Sequence, residues 1–225
     1  MRPAAMAAAG AAMLGSLLCA GGLGAEILSA GGLTFSDERG GFRLIAASGT
    51  GTRSDPLILV EEITQMGPAI LVIRGFKTRG RNDPDRPIQA VSSGSLVITK
   101  VVLNGSLRVW TGFDLELREI VDTPSPYGDG LSFDQMGTHD DTFGSDRFKN
   151  IRKLFEPYDL LDFGQGSVDP GAQVRFSFAI TDPTPRQEFF LIQEPKLLLS
   201  QGPMDTQQAE RSVQFRPSSP PSSPP

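Results

Sequence analysis

Between residues 42 and 192 short apolar runs alternate with clusters of Gly, Pro, Asn and Asp. Runs of strand length that are rich in Val, Ile, Phe and Leu predict β-strands over 42–47, 57–63, 69–76, 95–103, 107–117, 174–181 and 188–192. Two of them alternate with period two. In 174–181, Val174, Phe176, Phe178 and Ile180 oppose Arg175, Ser177, Ala179 and Thr181. In 107–117, Leu107, Val109, Phe113, Leu115 and Leu117 share a face with Thr111, and Arg108, Trp110, Gly112, Asp114 and Glu116 take the other. Such strands place one face in a core and one in solvent, as antiparallel sheets do. The runs 69–73 and 96–103 are almost continuously apolar and predict central strands covered on both faces.

The connections are also patterned. Asn104-Gly105 between two apolar runs predicts a hairpin that pairs 95–103 with 107–117. Asp169-Pro170-Gly171 predicts a turn leading into 174–181. One segment has helical spacing instead. Ser145 and Asp146 suit a helix start, Phe148, Ile151, Leu154 and Phe155 form a stripe, Lys149, Arg152 and Lys153 lie towards the end, and Glu156-Pro157 stops it. The fold class expected is mainly β: an antiparallel β-sandwich with one short docked helix, the helix packing by its apolar stripe.

Composition adds the ends of the chain. Arg2 is the only charge before Glu26; an apolar stretch follows over 4–18, then small residues to Ala25. This order reads as a secretory signal peptide over 1–25, cleaved after Ala25, and its apolar run falls short of the ~20 residues that span a bilayer. Residues 26–215 are expected to form a single β-sandwich domain. Residues 216–225, nearly all Pro and Ser, are expected to be a disordered tail. Cleavage removes Cys19, the single cysteine, and Arg2, leaving a formal net charge of −6. No disulfide can then staple the domain, so its stability has to come from its core. No later stretch looks like a membrane span. The negative charge and the export signal argue against a nucleic-acid partner.

Little chemistry is marked. One histidine excludes most metal and triad arrangements, and no G-x-S-x-G elbow is present. His139, Asp140, Asp141 and Asp146 form the one candidate metal cluster. Calcium is the cation that suits these carboxylates, and the opposing reading is a polar loop with Asp146 serving the next element. No other cofactor is expected. A basic stretch over 74–87, with Arg74, Lys77, Arg79, Arg81 and Arg86, reads as a solvated loop. Trp110, beside Arg108 on a polar strand face, is the candidate binding residue unless another segment covers that face. The expected function is an exported non-enzymatic module, periplasmic or secreted, that binds a protein or glycan partner. The alternatives are a hydrolase or lyase acting on an envelope polymer, and a calcium-stabilised structural module.

Overall fold

The computed structural model describes residues 24–76, 95–125, 128–134, 137, 140–154 and 158–197. Twelve strands are found among the described residues: β1 (Ile27–Ala30), β2 (Leu33–Ser36), β3 (Arg43–Ser48), β4 (Leu57–Ile63), β5 (Ala69–Arg74), β6 (Ser95–Asn104), β7 (Trp110–Arg118), β8 (Gly144–Ser145), β9 (Phe148–Leu154), β10 (Asp159–Gly166), β11 (Gln173–Thr181) and β12 (Glu188–Leu197). They form a seven-stranded sheet, β1-β2-β5-β12-β7-β10-β9, and a five-stranded sheet, β3-β4-β6-β11-β8. All the pairings are antiparallel except β4 with β6, which run parallel. The inner faces meet in one core. Phe113 of β7 and Phe163 of β10 lie 4.8 and 4.7 Å from Phe176 of β11, centroid to centroid, and so join the two sheets. The mainly β sandwich is therefore as the apolar pattern predicts.

The alternation in β11 holds in full, with Val174, Phe176, Phe178 and Ile180 all buried on its inner face. The run in β5 is covered on its second side as well. Val72, Phe190 and Ile192 form a small outer cluster against Ile70 and Val121, and the Arg39 guanidinium lies 5.6 Å from the Phe190 ring centre. The turn at Asp169-Pro170-Gly171 is also present. Ala172 N–H donates to the Asp169 carbonyl at 3.0 Å, and Gly171 takes φ +76°, which a side chain would strain. Beyond the residues that read as strand lies the far end of β12. Pro195 falls past Gln193, the last residue paired with β5, where a missing N–H breaks no bond on that side.

Three expectations are corrected. The first is the helix. Its described residues, 145–154, form β8, a turn and β9 instead, while Phe155, Glu156 and Pro157 lie outside the described residues; the only helical turn among the described residues is the short 3-10 segment Asp140–Thr142. The capping signal serves a turn: Ser145 Oγ accepts from the amides of Arg147 and Phe148, each at 3.3 Å. The chain then pairs with β10 from Leu154↔Leu160 to Phe148↔Gly166. Gln165, at φ 57°, twists β10 beside this pairing. Phe148 and Ile151 reach the core while Leu154 stays 42% exposed, so a chance 3–4 spacing of apolar residues mimicked a helical stripe.

The second is the hairpin. Asn104-Gly105 carries the chain out of the five-stranded sheet into the seven-stranded one, and β6 and β7 do not pair. The buried Asn104 side chain fixes this arch. Its Nδ2 donates to the carbonyls of Arg108 and Val168 at 2.8 and 2.9 Å, and its Oδ1 accepts from the Ser106 hydroxyl at 2.6 Å. Gly105 is needed for space, because a Cβ there would lie 2.8 Å from Glu62 Cγ.

The third is the phase of β7. Lys196 pairs with Gly112 and Leu197 with Trp110, so Thr111 is an extra residue in the ladder. One bulged residue exchanges the two faces of a strand. Phe113, Leu115 and Leu117 point inward as expected, but so does Trp110. Leu107 and Val109, expected in the core, are 94% and 41% exposed.

Candidate functional site

The residues singled out in the sequence do not converge. Trp110 is fully buried. Its Nε1 donates to Ser106 Oγ at 3.2 Å and its ring lies 5.7 Å from that of Phe113. It is a core residue covered by the opposite sheet, and its exposure as a contact point is corrected. Arg108 is exposed on the arch, where its backbone carbonyl accepts from Asn104.

His139 lies outside the described residues, as do Lys77, Arg79, Arg81, Arg86 and the 216–225 tail. Asp140 opens the 3-10 turn. Asp141 is ion-paired with Arg53 of the β3–β4 loop. Asp146 Oδ1 accepts the Arg175 amide of β11 at 2.8 Å, so this carboxylate extends the sheet ladder beyond β8. Among the described residues no group of three or more His, Cys, Asp or Glu side chains is placed to hold a metal ion. Arg74, at the start of the basic stretch, is bonded to Glu38 on one side and Glu188 on the other.

The structure assembles two polar groupings that the sequence reading passed over. One is inside the core. Glu61 (β4), Lys100 (β6) and Gln193 (β12) are each fully buried. Lys100 Nζ donates to Glu61 Oε2, and Gln193 Nε2 donates to that same oxygen at 3.3 Å. Glu61 Oε1 and Gln193 Oε1 find no partner among the described residues. Burial pushes the Glu61 carboxyl up and the Lys100 ammonium down, and their mutual attraction opposes this only in part. Both shifts favour the neutral acid and the neutral amine.

The other grouping is a cleft at one end of the sandwich, of about 300 Å³, lined by Glu119, Ile120, Thr123, Pro124, Gly128, Asp129 and Arg186. Two loops build it, the one after β7 and the short turn from β11 to β12. Arg186 Nε meets Glu119 Oε2 at 2.5 Å. Asp129 is locked from both sides: Oδ1 accepts the Leu131 amide at 3.0 Å, Oδ2 accepts the Ser125 hydroxyl, and its carbonyl accepts Thr184 Oγ1 at 2.8 Å. Beneath the wall lies Asp182, buried, with Oδ1 accepting the Thr184 amide at 2.9 Å. Burial raises Asp182 to about 6, with Glu119 and Asp129 adding negative potential. Glu119 is raised as well, again mainly by burial, with Arg186 opposing.

The Asp182 shift fixes a pH dependence. Its folded value, about 6, lies above the ordinary 3.8. The folded state therefore holds the proton more tightly, and this contribution is full below pH ~4 and lost as pH rises through ~6. Asp182→Asn keeps the acceptor for Thr184 and removes the titration. Relative to the native protein the variant is expected to gain up to about 3 kcal/mol between pH 4 and 7, read from urea unfolding at each pH. A constant difference across that range would show that Asp182 does not titrate there.

No family model matches the chain, and comparison with curated proteins and with solved structures returns no match.

Proposed function

We propose that the protein is an exported, non-enzymatic β-sandwich module that binds a glycan in the cleft between the loop after β7 and the β11–β12 turn. The observation that carries this reading is the lining of the cleft. Planar carboxylate and guanidinium groups, each able to engage paired hydroxyls, sit beside apolar Ile120 and Pro124. Asp129 is set by loop hydrogen bonds, and Arg186 and Glu119 by their ion pair, in advance of any ligand. A hydrolytic reading is less favoured, because Asp182, a carboxyl raised to about 6, is buried and is not among the residues lining the cleft.

Export is supported by the residue that cleavage after Ala25 would expose. The Glu26 nitrogen donates to Asp37 Oδ1 at 2.7 Å, and Asp37 Oδ2 accepts the Leu44 amide at 3.0 Å. As a free ammonium, that nitrogen would form a charge-assisted bond to a carboxylate already held in place. Among the described residues no helix is long and apolar enough to cross a membrane.

The test uses protein recovered from the cell envelope or the medium. Its chain is expected to begin at Glu26, to be retained on immobilised envelope polysaccharide, and to lose about tenfold in affinity, ~1.4 kcal/mol, on Arg186→Ala. A chain that keeps residues 1–25 in the cytoplasm would end the export reading. Binding equal in native and variant protein, or no glycan retained at all, would end the cleft reading.

A further inference from the structure

We propose that Lys100 and Gln193 become joined by a self-formed amide bond between their side chains, with Glu61 as the proton-transferring catalyst, so that the two sheets are covalently linked through the core. The three groups needed meet at one carboxylate oxygen. A single carboxylate oxygen, Glu61 Oε2, receives hydrogen bonds from both Lys100 Nζ and Gln193 Nε2. One of these nitrogens is the incoming nucleophile and the other is the leaving group. The remaining oxygen of each acceptor, Glu61 Oε1 and Gln193 Oε1, is buried without a partner among the described residues, an unusual cost in a core unless those atoms serve chemistry.

The surroundings suit the reaction. Along the ladders Lys100 lies opposite Leu59 and Phe176, Glu61 opposite Leu44 and Val102, and Gln193 opposite Ala69 and Leu115. Every neighbour in the pairing is apolar, and all three side chains are fully buried. Burial lowers the Lys100 ammonium and raises the Glu61 carboxyl, so both shifts run toward the nucleophilic amine and the neutral acid that the step uses.

The step balances without any other reactant. The Lys100 Nζ lone pair attacks Cδ of Gln193, forming the new C–N bond and a tetrahedral centre. Glu61 Oε2 takes a proton from Nζ and delivers one to Nε2. The Cδ–Nε2 bond breaks and ammonia leaves. Glu61 ends as it began, and the chain has lost one ammonia. The geometry holds the nucleophile, the shuttle and the leaving group together before reaction, which is the entropic part of such a barrier. The link joins β6 of one sheet to β12 of the other, in a chain whose one cysteine rules out any internal disulfide.

Intact mass spectrometry of the denatured, purified protein tests this directly and requires no variant to fold. The expected result is a chain lighter than its sequence by one ammonia, and a protease digest containing a branched peptide that joins the Lys100 and Gln193 segments. Glu61→Gln is expected to give the full sequence mass, or to lose ammonia many times more slowly. A native chain of full mass would overturn the proposal. So would loss of water with a branch between Lys100 and Glu61. If the Glu61→Gln chain links as fast as the native one, the role given to Glu61 is wrong.

Discussion

Trp110→Ala is expected to lower stability by about 3–5 kcal/mol, the usual cost of truncating a buried large aromatic side chain. The indole fills the core between the arch and Phe113, and its N–H is satisfied only by Ser106 Oγ. That hydroxyl also bonds Asn104, which closes the arch between the sheets. Removal therefore opens a cavity and loosens the side-chain network that carries the chain across. Trp110→Phe keeps most of the volume and loses the hydrogen bond, for about 1 kcal/mol. Because the chain has a single tryptophan, native fluorescence reports on this position alone. Blue-shifted emission that added quencher barely reaches is expected. A cost under ~1 kcal/mol for the alanine variant, or emission quenched as readily as in unfolded protein, would contradict the bulge that turns this residue inward.

Lys100→Met is expected to be as damaging. It keeps the length of the side chain but removes the Lys100 donor and leaves Glu61 buried with only Gln193 as partner, and breaking a buried pair from one side costs ~3–5 kcal/mol. The loss should deepen as pH rises above the ordinary carboxylate range. Burial already pushes Glu61 upward, and with Lys100 gone only the Gln193 hydrogen bond offsets this for the ionised form, so that folding takes up a proton. The double change Glu61→Leu with Lys100→Met removes both members of the buried pair. It should recover the part of the loss due to the stranded carboxyl and remain below the native protein by the contribution of the proposed covalent link. Urea unfolding of the three proteins gives the ordering. A single variant within ~1 kcal/mol of native at pH 7 would show that the pair is not held as the structure has it.

Much of this fold is legible in the sequence because alternation and burial are the same statement. β4 is predicted to its end residues, and β11 carries its four inward side chains in the order read. What was missed has specific causes. β10 contains Asp159 and Asp162 within its span, and its apolar residues alone are too few to read as a strand. Asp162 is tolerated on the outer face because Arg152 reaches it from β9 alongside and Lys196 from β12, on the far side of β7. Burial alone would raise its carboxyl, but these two cations hold it below the ordinary value. Neighbours of that kind are set by sheet order, which no local window contains. The bulge at Thr111 leaves one faint trace, a glycine inside a strand pattern at Gly112.

The core triad, by contrast, was visible and unread. Lys100 occupies the inward phase with Leu96, Ile98 and Val102, and Glu61 does so with Leu57, Leu59 and Ile63. A charge at an apolar phase on two separate strands is a sequence signal for a buried pair. The cleft left no such signal. Glu119 and Asp129 share the loop after β7 but Arg186 is distant in the chain, and only the meeting of two loops brings it to them.

β12, the last strand described, fills the middle of the seven-stranded sheet, between β5 and β7. Until it arrives, those two strands have no common neighbour, and each leaves a row of backbone N–H and C=O groups unpaired. Most other connections, such as β4 to β5, β5 to β6 and β6 to β7, switch from one sheet to the other, so no early stretch of chain completes a layer. During vectorial synthesis the polypeptide is therefore held short of its native state until nearly two hundred residues have been made. For a chain exported as proposed, that delay has a use. The leader emerges first and is followed by a threadable, unfolded chain, and the sandwich closes only after its final strand has crossed.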